Sequence, residues 1–330
     1  MITRSTAHVQ PLEWTQELRQ AYSEPSALLD DLGLDPARMD LGDGAGFAFR
    51  VPRPYARRMR AGDPADPLLR QVLPLAAESR EVPGFGPDPV GDLASQRAPN
   101  VLQKYHGRAL VIATGACAIN CRYCFRRHYP YTTAPNVTET LIDEVRTEPS
   151  IEEVILSGGD PLLLSDPALL SMIEGIAAID HVRRVRIHTR LPVTIPSRFS
   201  PGLIGALTAT RLAAVVVLHI NHPNEIDDEL RAALQNVARE GIPLLNQSVL
   251  LRGVNDSADV LTDLSRELFE AQVLPYYVHL LDPVAGAAHF DVPADTAKQL
   301  AASLRDRLPG YLVPRFAREQ PGAASKTLIA

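Results

Sequence analysis

Three cysteines are the whole thiol complement of the 330-residue chain, and Cys117, Cys121 and Cys124 fall within eight residues at C-x3-C-x2-C spacing. Three thiolates in one loop suit a four-iron, four-sulfur ([4Fe-4S]) cluster whose fourth iron stays open to a small molecule. An electron-transfer ferredoxin needs a fourth cysteine. Two other readings compete: a zinc site completed by His128, and inert buried cysteines, which have no reason to share so short a window. Amine chemistry is confined in the same way. Of 33 basic residues 30 are arginine, so only Lys104, Lys298 and Lys326 could supply it. Taken alone, Lys326 in its Gly/Ala/Ser-rich stretch reads as a solvated tail residue.

Further polar residues recur at regular intervals after the cysteine loop. Gly158, Gly159 and Asp160 form a Gly-Gly-acid turn whose glycines let backbone approach a ligand closely. His188 and Arg190, then His219, Asn221 and Glu225, then Gln247, then Asp282 follow. A lone histidine among these would more often be a satisfied structural residue.

The elements that must position them alternate from residue 108 onward. Apolar, β-branched runs predict strands over 108–114, 153–157, 182–189, 213–219, 242–250 and 273–280. Helical periodicity fills 138–147, 166–179, 202–209, 227–240, 257–271 and 294–307. Six such units predict an α/β fold with a parallel sheet covered by helices. The cysteine loop then follows the first strand at its C-terminal end, where parallel barrels build active sites. Five strands deliver polar residues to that rim, which packing alone does not explain.

Residues 1–100 read as a separate, mostly helical region with a linker. Trp14, Leu18 and Tyr22 give a helical stripe, and Pro25 and Pro36 mark helix starts. Arginines over 47–60 form a solvated face or a phosphate pocket. Prolines and glycines over 82–100 predict an extended connection. The division expected is 1–100, a core over 101–308, and a C-terminal segment over 309–330.

The net charge of −6 gives no support to nucleic-acid binding and favours a small charged metabolite. No apolar run of about 18 residues and no secretory leader are apparent, so neither a membrane nor export is expected. The cytoplasm, which keeps thiols reduced, is the expected compartment.

With Tyr123 just before its last cysteine, the loop resembles that of radical S-adenosylmethionine (radical SAM) enzymes. From about 104 to 326 the chain resembles the lysine 2,3-aminomutase family, through residues 104–108, the loop with Arg126 and Arg127, and residues 156–160, 221–225, 247–256, 275–277 and 309–311. The resemblance implies a partial (β/α)6 barrel, a [4Fe-4S] cluster on Cys117, Cys121 and Cys124, S-adenosyl-L-methionine, and pyridoxal 5'-phosphate held by Lys326 as a Schiff base. It further implies Lys104, Tyr105 and Arg108 at the cofactor phosphate and Gly158, Gly159 and Asp160 at S-adenosylmethionine. His188, Arg190 and Gln247 fall at the rim shared by the two cofactors. Arg126 would take the substrate carboxylate, and Asp282 with Glu319 the distal ammonium of L-lysine. An electron donor of unidentified type is required, and a homo-oligomer is possible.

Three features refine the resemblance. Asn246 stands where free-standing family members carry a zinc-binding cysteine, Glu319 replaces an aspartate, and the tail is short. Residues 125–131, the short tail and the N-terminal segment resemble the branch that makes (R)-β-lysine, which a separate ligase attaches to elongation factor P. The competing expectations are an aminomutase for another amino acid such as arginine, and a non-catalytic iron-sulfur scaffold.

Overall fold

A computed structural model describes residues 13–131 and 137–330. Ten strands form one sheet in chain order: β1 (Gln96–Ala98), β2 (Val101–Leu102), β3 (Arg108–Thr114), β4 (Glu153–Gly158), β5 (Arg184–Thr189), β6 (Ala213–Leu218), β7 (Leu244–Leu250), β8 (Leu274–Leu280), β9 (Arg315–Arg318) and β10 (Thr327–Leu328). Pairing from β3 through β9 is parallel, and the short strands at either edge are antiparallel. Six longer helices, Val137–Thr147, Asp166–Ala177, Pro201–Ala209, Asp228–Arg239, Ala258–Glu270 and Ala294–Arg307, each cross from one parallel strand to the next. The result is an open, partial barrel.

The strands form because their residues suit burial on both faces. Val111, Val154, Leu156, Val185, Ile187 and Val216 are sealed beneath the helices. Along β7 the alternation is strict: Asn246 and Ser248 are buried, while Gln247 and Val249 turn toward the barrel interior. The expected helices and six expected strands lie within three residues of the observed ends. A seventh parallel strand, β9, was not expected, because Arg315 and Arg318 mask a run of only four residues.

The segment before β1 is built from short helices with their own small core. Pro25 opens the helix Pro25–Asp31, where a missing N–H costs nothing. Asp66 caps Pro67–Arg70 by accepting from the Leu68 and Leu69 amides at 2.9 Å. Leu28, Val51, Tyr55, Leu69 and Val72 pack together with Ile119 of the cysteine loop. Arg58 fits neither reading of the arginine-rich stretch. Its side chain is buried and ion-pairs with Asp227 at 2.6 Å, tying this segment to the barrel. No helix among the described residues is long and apolar enough to cross a membrane.

Candidate active site

One cavity of about 480 Å³ occupies the barrel interior. Cys117, Cys121 and Cys124 line it, as do Lys104, Tyr105, Arg108, Arg126, Gly158, Gly159, Asp160, His188, Arg190, Gln247, Asp282, Glu319 and Lys326. Every site residue that the family resemblance implies therefore borders one space.

The cysteine loop is fixed from the N-terminal side. Arg122 is wholly buried; its Nε donates to Glu78 Oε1 at 2.8 Å and its Nη2 to the Gly44 carbonyl at 2.9 Å. Arg127 Nη2 donates to the other Glu78 oxygen at 2.8 Å. Burial pushes the Glu78 carboxyl up, but the two guanidinium groups outweigh it and hold the group below its usual range. Two backbone bonds add to this, Asn120 N to Arg50 O at 3.1 Å and Arg122 N to Gln71 O at 2.9 Å.

On the barrel side, the Gly-Gly turn is fitted to the same loop. A Cβ on Gly159 would lie 2.2 Å from the Ala116 carbonyl oxygen, and one on Gly158, at φ +120, 2.5 Å from that of Thr114. The close approach that requires glycine is thus to the cysteine loop itself, through Gly159 N to Thr114 O at 2.7 Å and Asp160 N to Ala116 O at 2.8 Å. The Asp160 carboxylate is already engaged by four donors: the amides of Leu162, Arg190 and Leu191 and the Thr189 hydroxyl. It joins the end of β4 to the end of β5.

Arg190 is the hub beneath the loop. Nη1 lies 2.7 Å from Cys121 Sγ and also contacts the Tyr123 hydroxyl. Nη2 reaches Glu225 Oε2 at 2.9 Å, Gln71 Oε1 at 2.8 Å and the Tyr55 hydroxyl at 3.0 Å. Its Nε is buried without a partner. Tyr55, Gln71 and Glu78 carry no motif, and sequence reading passed over all three.

The donor set fits an iron-sulfur cluster better than a single ion. Among the described residues no three His, Cys, Asp or Glu side chains gather as a metal-ion site, whereas a four-iron cluster takes one thiolate per iron. His128, the suggested zinc ligand, is exposed and approaches the Ala285 carbonyl at 3.1 Å. Burial pushes the Cys117 and Cys124 thiols up, Cys124 to about 11, so filling the site would release protons.

Further along the cavity the imidazoles are neutral. Burial is the main cause of the depression at His188, His219 and His279, and takes His219 down to about 3. Gln247 Nε2 lies 2.9 Å from His219 Nε2 and 3.3 Å from His188 Nδ1, while His188 Nε2 is buried without a partner. That orphan joins the Tyr105 hydroxyl and the Nε atoms of Arg186 and Arg190 among the buried polar groups bordering the cavity that a ligand could satisfy.

At the far side, charged groups alternate in sign. Lys326 Nζ is 2.9 Å from Glu319 Oε2, Lys104 Nζ is 2.9 Å from Glu319 Oε1 and 2.6 Å from Asp92 Oδ1, and Arg126 Nε is 2.6 Å from Asp92 Oδ2. Arg126 Nη1 also donates to Ser157 Oγ at 3.1 Å. Burial pushes Glu319 up, yet the charges of Lys326 and Lys104 bring it to about 2. Asp282 has no such partner: burial first, then the Glu319 charge, raises it to about 7. Lys298 lies apart on an exposed helix face, paired with Asp295 at 3.0 Å. Asp92 was missed because it falls in a stretch that reads only as a connection.

The Radical SAM superfamily profile matches residues 111–264. L-lysine 2,3-aminomutase of Escherichia coli is 45% identical over 96% of this chain and 94% of its own length. The Haemophilus influenzae protein of the same name is 44% identical over 96% and 95%. That of Clostridium subterminale is 36% identical over 83% of this chain and 67% of its own. Among solved structures, Streptococcus suis SuiB superposes with a TM-score of 0.50 at 15% identity, covering 67% of this chain and 50% of that one. That likeness concerns the fold alone. Sequence kinship over nearly the whole length, with the matched superfamily core, makes the chain a member of the L-lysine 2,3-aminomutase family of radical SAM enzymes and an isomerase of the aminomutase type.

Proposed function

We propose that the protein is a radical SAM, pyridoxal-phosphate-dependent aminomutase that converts L-lysine to (R)-β-lysine, and that the product serves β-lysylation of elongation factor P through a separate ligase. The observation that carries the reading is that three thiols, Lys326, Arg126, Asp282 and Glu319 line one cavity. The elongation factor link rests on the similarity of residues 125–131 and of the N-terminal segment to that branch of the family.

The hydrogen to be removed from the β-carbon of lysine is not acidic, so no base in the cavity could take it as a proton. Bound together, the cluster, S-adenosylmethionine and pyridoxal phosphate would supply a source of carbon radicals and a conjugated π system across which nitrogen can move between adjacent carbons. Cys117, Cys121 and Cys124 would hold the cluster, with Arg190 beside Cys121 stabilising thiolate charge. The backbone at Gly158 and Gly159 and the free Nε of Arg190 would receive S-adenosylmethionine. Lys326 would anchor the pyridoxal group, with Arg108 and the unpartnered Tyr105 hydroxyl toward its phosphate.

The remaining residues act by position. Arg126 spends two N–H groups on Asp92 and Ser157 and keeps three, enough to grip the substrate carboxylate in bidentate fashion. Asp282 and Glu319 would take the distal ammonium, fixing which carbon faces the radical source. Neutral imidazoles along the wall offer no acidic protons.

The test is anaerobic incubation of cluster-reconstituted protein with pyridoxal phosphate, S-adenosylmethionine, dithionite and L-lysine, with L-arginine and L-glutamate in parallel. β-Lysine detected by chromatography supports the reading. Strong turnover of glutamate, which the two acidic groups should repel, would overturn the pocket assignment. Release of 5'-deoxyadenosine without β-lysine would sink the substrate alone.

A further inference from the structure

The family resemblance puts Lys104 at the phosphate of pyridoxal phosphate, yet its ammonium is already enclosed. Val90 O and Glu319 Oε1 each lie 2.9 Å from Nζ, and Asp92 Oδ1 lies 2.6 Å away. An ammonium has three hydrogens, and three oxygens surround it. Two of the hydrogens are bonded to Val90 O and Glu319 Oε1 and the third faces the Asp92 carboxylate in an ion pair, so a phosphate oxygen would have to compete with Asp92 for it.

Asp92 is committed in the same way, Oδ1 to Lys104 and Oδ2 to Arg126 Nε at 2.6 Å. The Asp92 and Arg126 side chains are 2% and 7% exposed, so solvent does little to screen the pair. Arg126, Asp92, Lys104 and Glu319 thus form an unbroken series of alternating charge, every link between 2.6 and 2.9 Å. Its two ends are the groups proposed above for the two ends of the substrate, and only two side chains separate them. The series also joins residues close to the two edges of the open sheet, since Lys104 follows β2 and Glu319 follows β9.

We infer that Asp92 and Lys104 are positioning residues that set the separation of Arg126 and Glu319, and so select the chain length of an amino acid bearing a terminal ammonium. Neutralising Asp92 leaves the buried Arg126 without its carboxylate, and neutralising Lys104 leaves Asp92 and Glu319 without the cation that joins them, which makes the spacing stiff. The phosphate falls instead to Arg108, whose guanidinium carbon is 5.1 Å from the centre of the Tyr105 ring, and to the unpartnered Tyr105 hydroxyl. The inference rests on the proposed lysine substrate.

The experiment compares the parent with Lys104→Gln, Lys104→Arg, Asp92→Asn and Arg108→Gln, all cluster-reconstituted. The first readout is a spectrophotometric titration with pyridoxal phosphate, without turnover. The second is kcat/KM for L-lysine, for L-ornithine, one methylene shorter, and for L-homolysine, one longer. Lys104→Gln and Asp92→Asn are expected to keep pyridoxal phosphate affinity within about threefold of the parent, while Arg108→Gln weakens it by roughly tenfold or more. Both are expected to lower the preference for lysine over its neighbours by about tenfold, chiefly through KM. Lys104→Arg, which keeps the charge, should retain more of that preference, and it carries the test with Asp92→Asn if Lys104→Gln does not fold. The inference is overturned if Lys104→Gln weakens pyridoxal phosphate as much as Arg108→Gln does, or if the chain-length preference is unchanged in Asp92→Asn. A parent that leaves lysine untouched sinks the substrate reading and the length selection with it, while the titration still judges the role of Lys104.

Discussion

Lys326 Nζ and Glu319 Oε2 lie 2.9 Å apart, so the amine proposed to anchor one cofactor rests on the carboxylate proposed to hold the substrate's far end. When Lys326 is joined to pyridoxal phosphate, Glu319 loses that partner and keeps Lys104. Substrate affinity should then depend on cofactor loading. Calorimetry is expected to show L-lysine binding to Lys326→Ala without pyridoxal phosphate on the order of tenfold more tightly than to the cofactor-free parent. Equal affinities would mean that Lys326 does not occupy the ammonium site. The same variant should lose the visible pyridoxal absorbance and on the order of 10³-fold or more of its turnover, while retaining the cluster.

Asp282, raised to about 7 by burial and then by Glu319, should make lysine recognition sensitive to pH near neutrality. Below that value it carries a proton and loses its attraction for an ammonium, so KM for lysine should rise as pH falls from 8 to 6. Asp282→Asn should flatten the profile at a uniformly higher KM; an unchanged slope would assign the dependence to another group. In stability the two pocket acids act oppositely. Asp282 ionises near 4 when unfolded and near 7 when folded, so its contribution favours the fold at low pH and declines as pH rises through that window. Glu319, lowered to about 2, contributes stability that is present above about 4 and lost as pH falls toward 2.

Glu78 is the single carboxylate for two buried guanidinium groups flanking Cys124. Glu78→Ala should cost roughly 3–5 kcal/mol, because both charges would remain buried and unpaired. Chemical denaturation measures this. Iron content after reconstitution should fall with it, and a variant that binds iron normally would show that the loop holds its shape without Glu78.

Gly159→Ala tests the other wall of the loop. With the Ala116 oxygen 2.2 Å from the new methyl carbon, backbone must move, and the nearest backbone is one residue before Cys117. Iron content and S-adenosylmethionine binding should drop together, while pyridoxal phosphate binding, remote from this contact, should persist. Parallel loss of all three would point to general misfolding.

Much of the barrel was legible because buried parallel strands are short apolar runs bounded by turns, and their spacing with helices is regular. Residues 108–114 match β3 to the residue. β9 was not legible, since Arg315 and Arg318 bracket only Phe316 and Ala317 as buried positions. In the site, residues on motifs could be named, but their supports could not. Asp92, Glu78, Gln71 and Tyr55 each pair with an arginine 34 to 135 positions away, and single-residue polarity carries no trace of such pairing. Lys104 shows the limit from the other direction: its place by the cavity was readable, but the three oxygens that enclose it were not.

The two-sided fixing of the cysteine loop has a consequence for the order of synthesis. Tyr55, Gln71 and Glu78 leave the ribosome before Cys117, but Arg190 and Glu225, which complete the hub beneath the loop, leave it well afterwards. About a hundred residues separate Cys124 from Glu225, so at roughly 5–20 residues per second the thiols wait on the order of 5–20 s with half of their shelter in place. Stalled nascent chains ending shortly after Asp160 should therefore be alkylated at the cysteines far faster than chains extending past β9. Equal rates would mean that the N-terminal segment alone suffices to close the loop. The newborn protein thus has an interval in which iron can be loaded and oxygen can do harm, and its length is written into the distance between its own contacts.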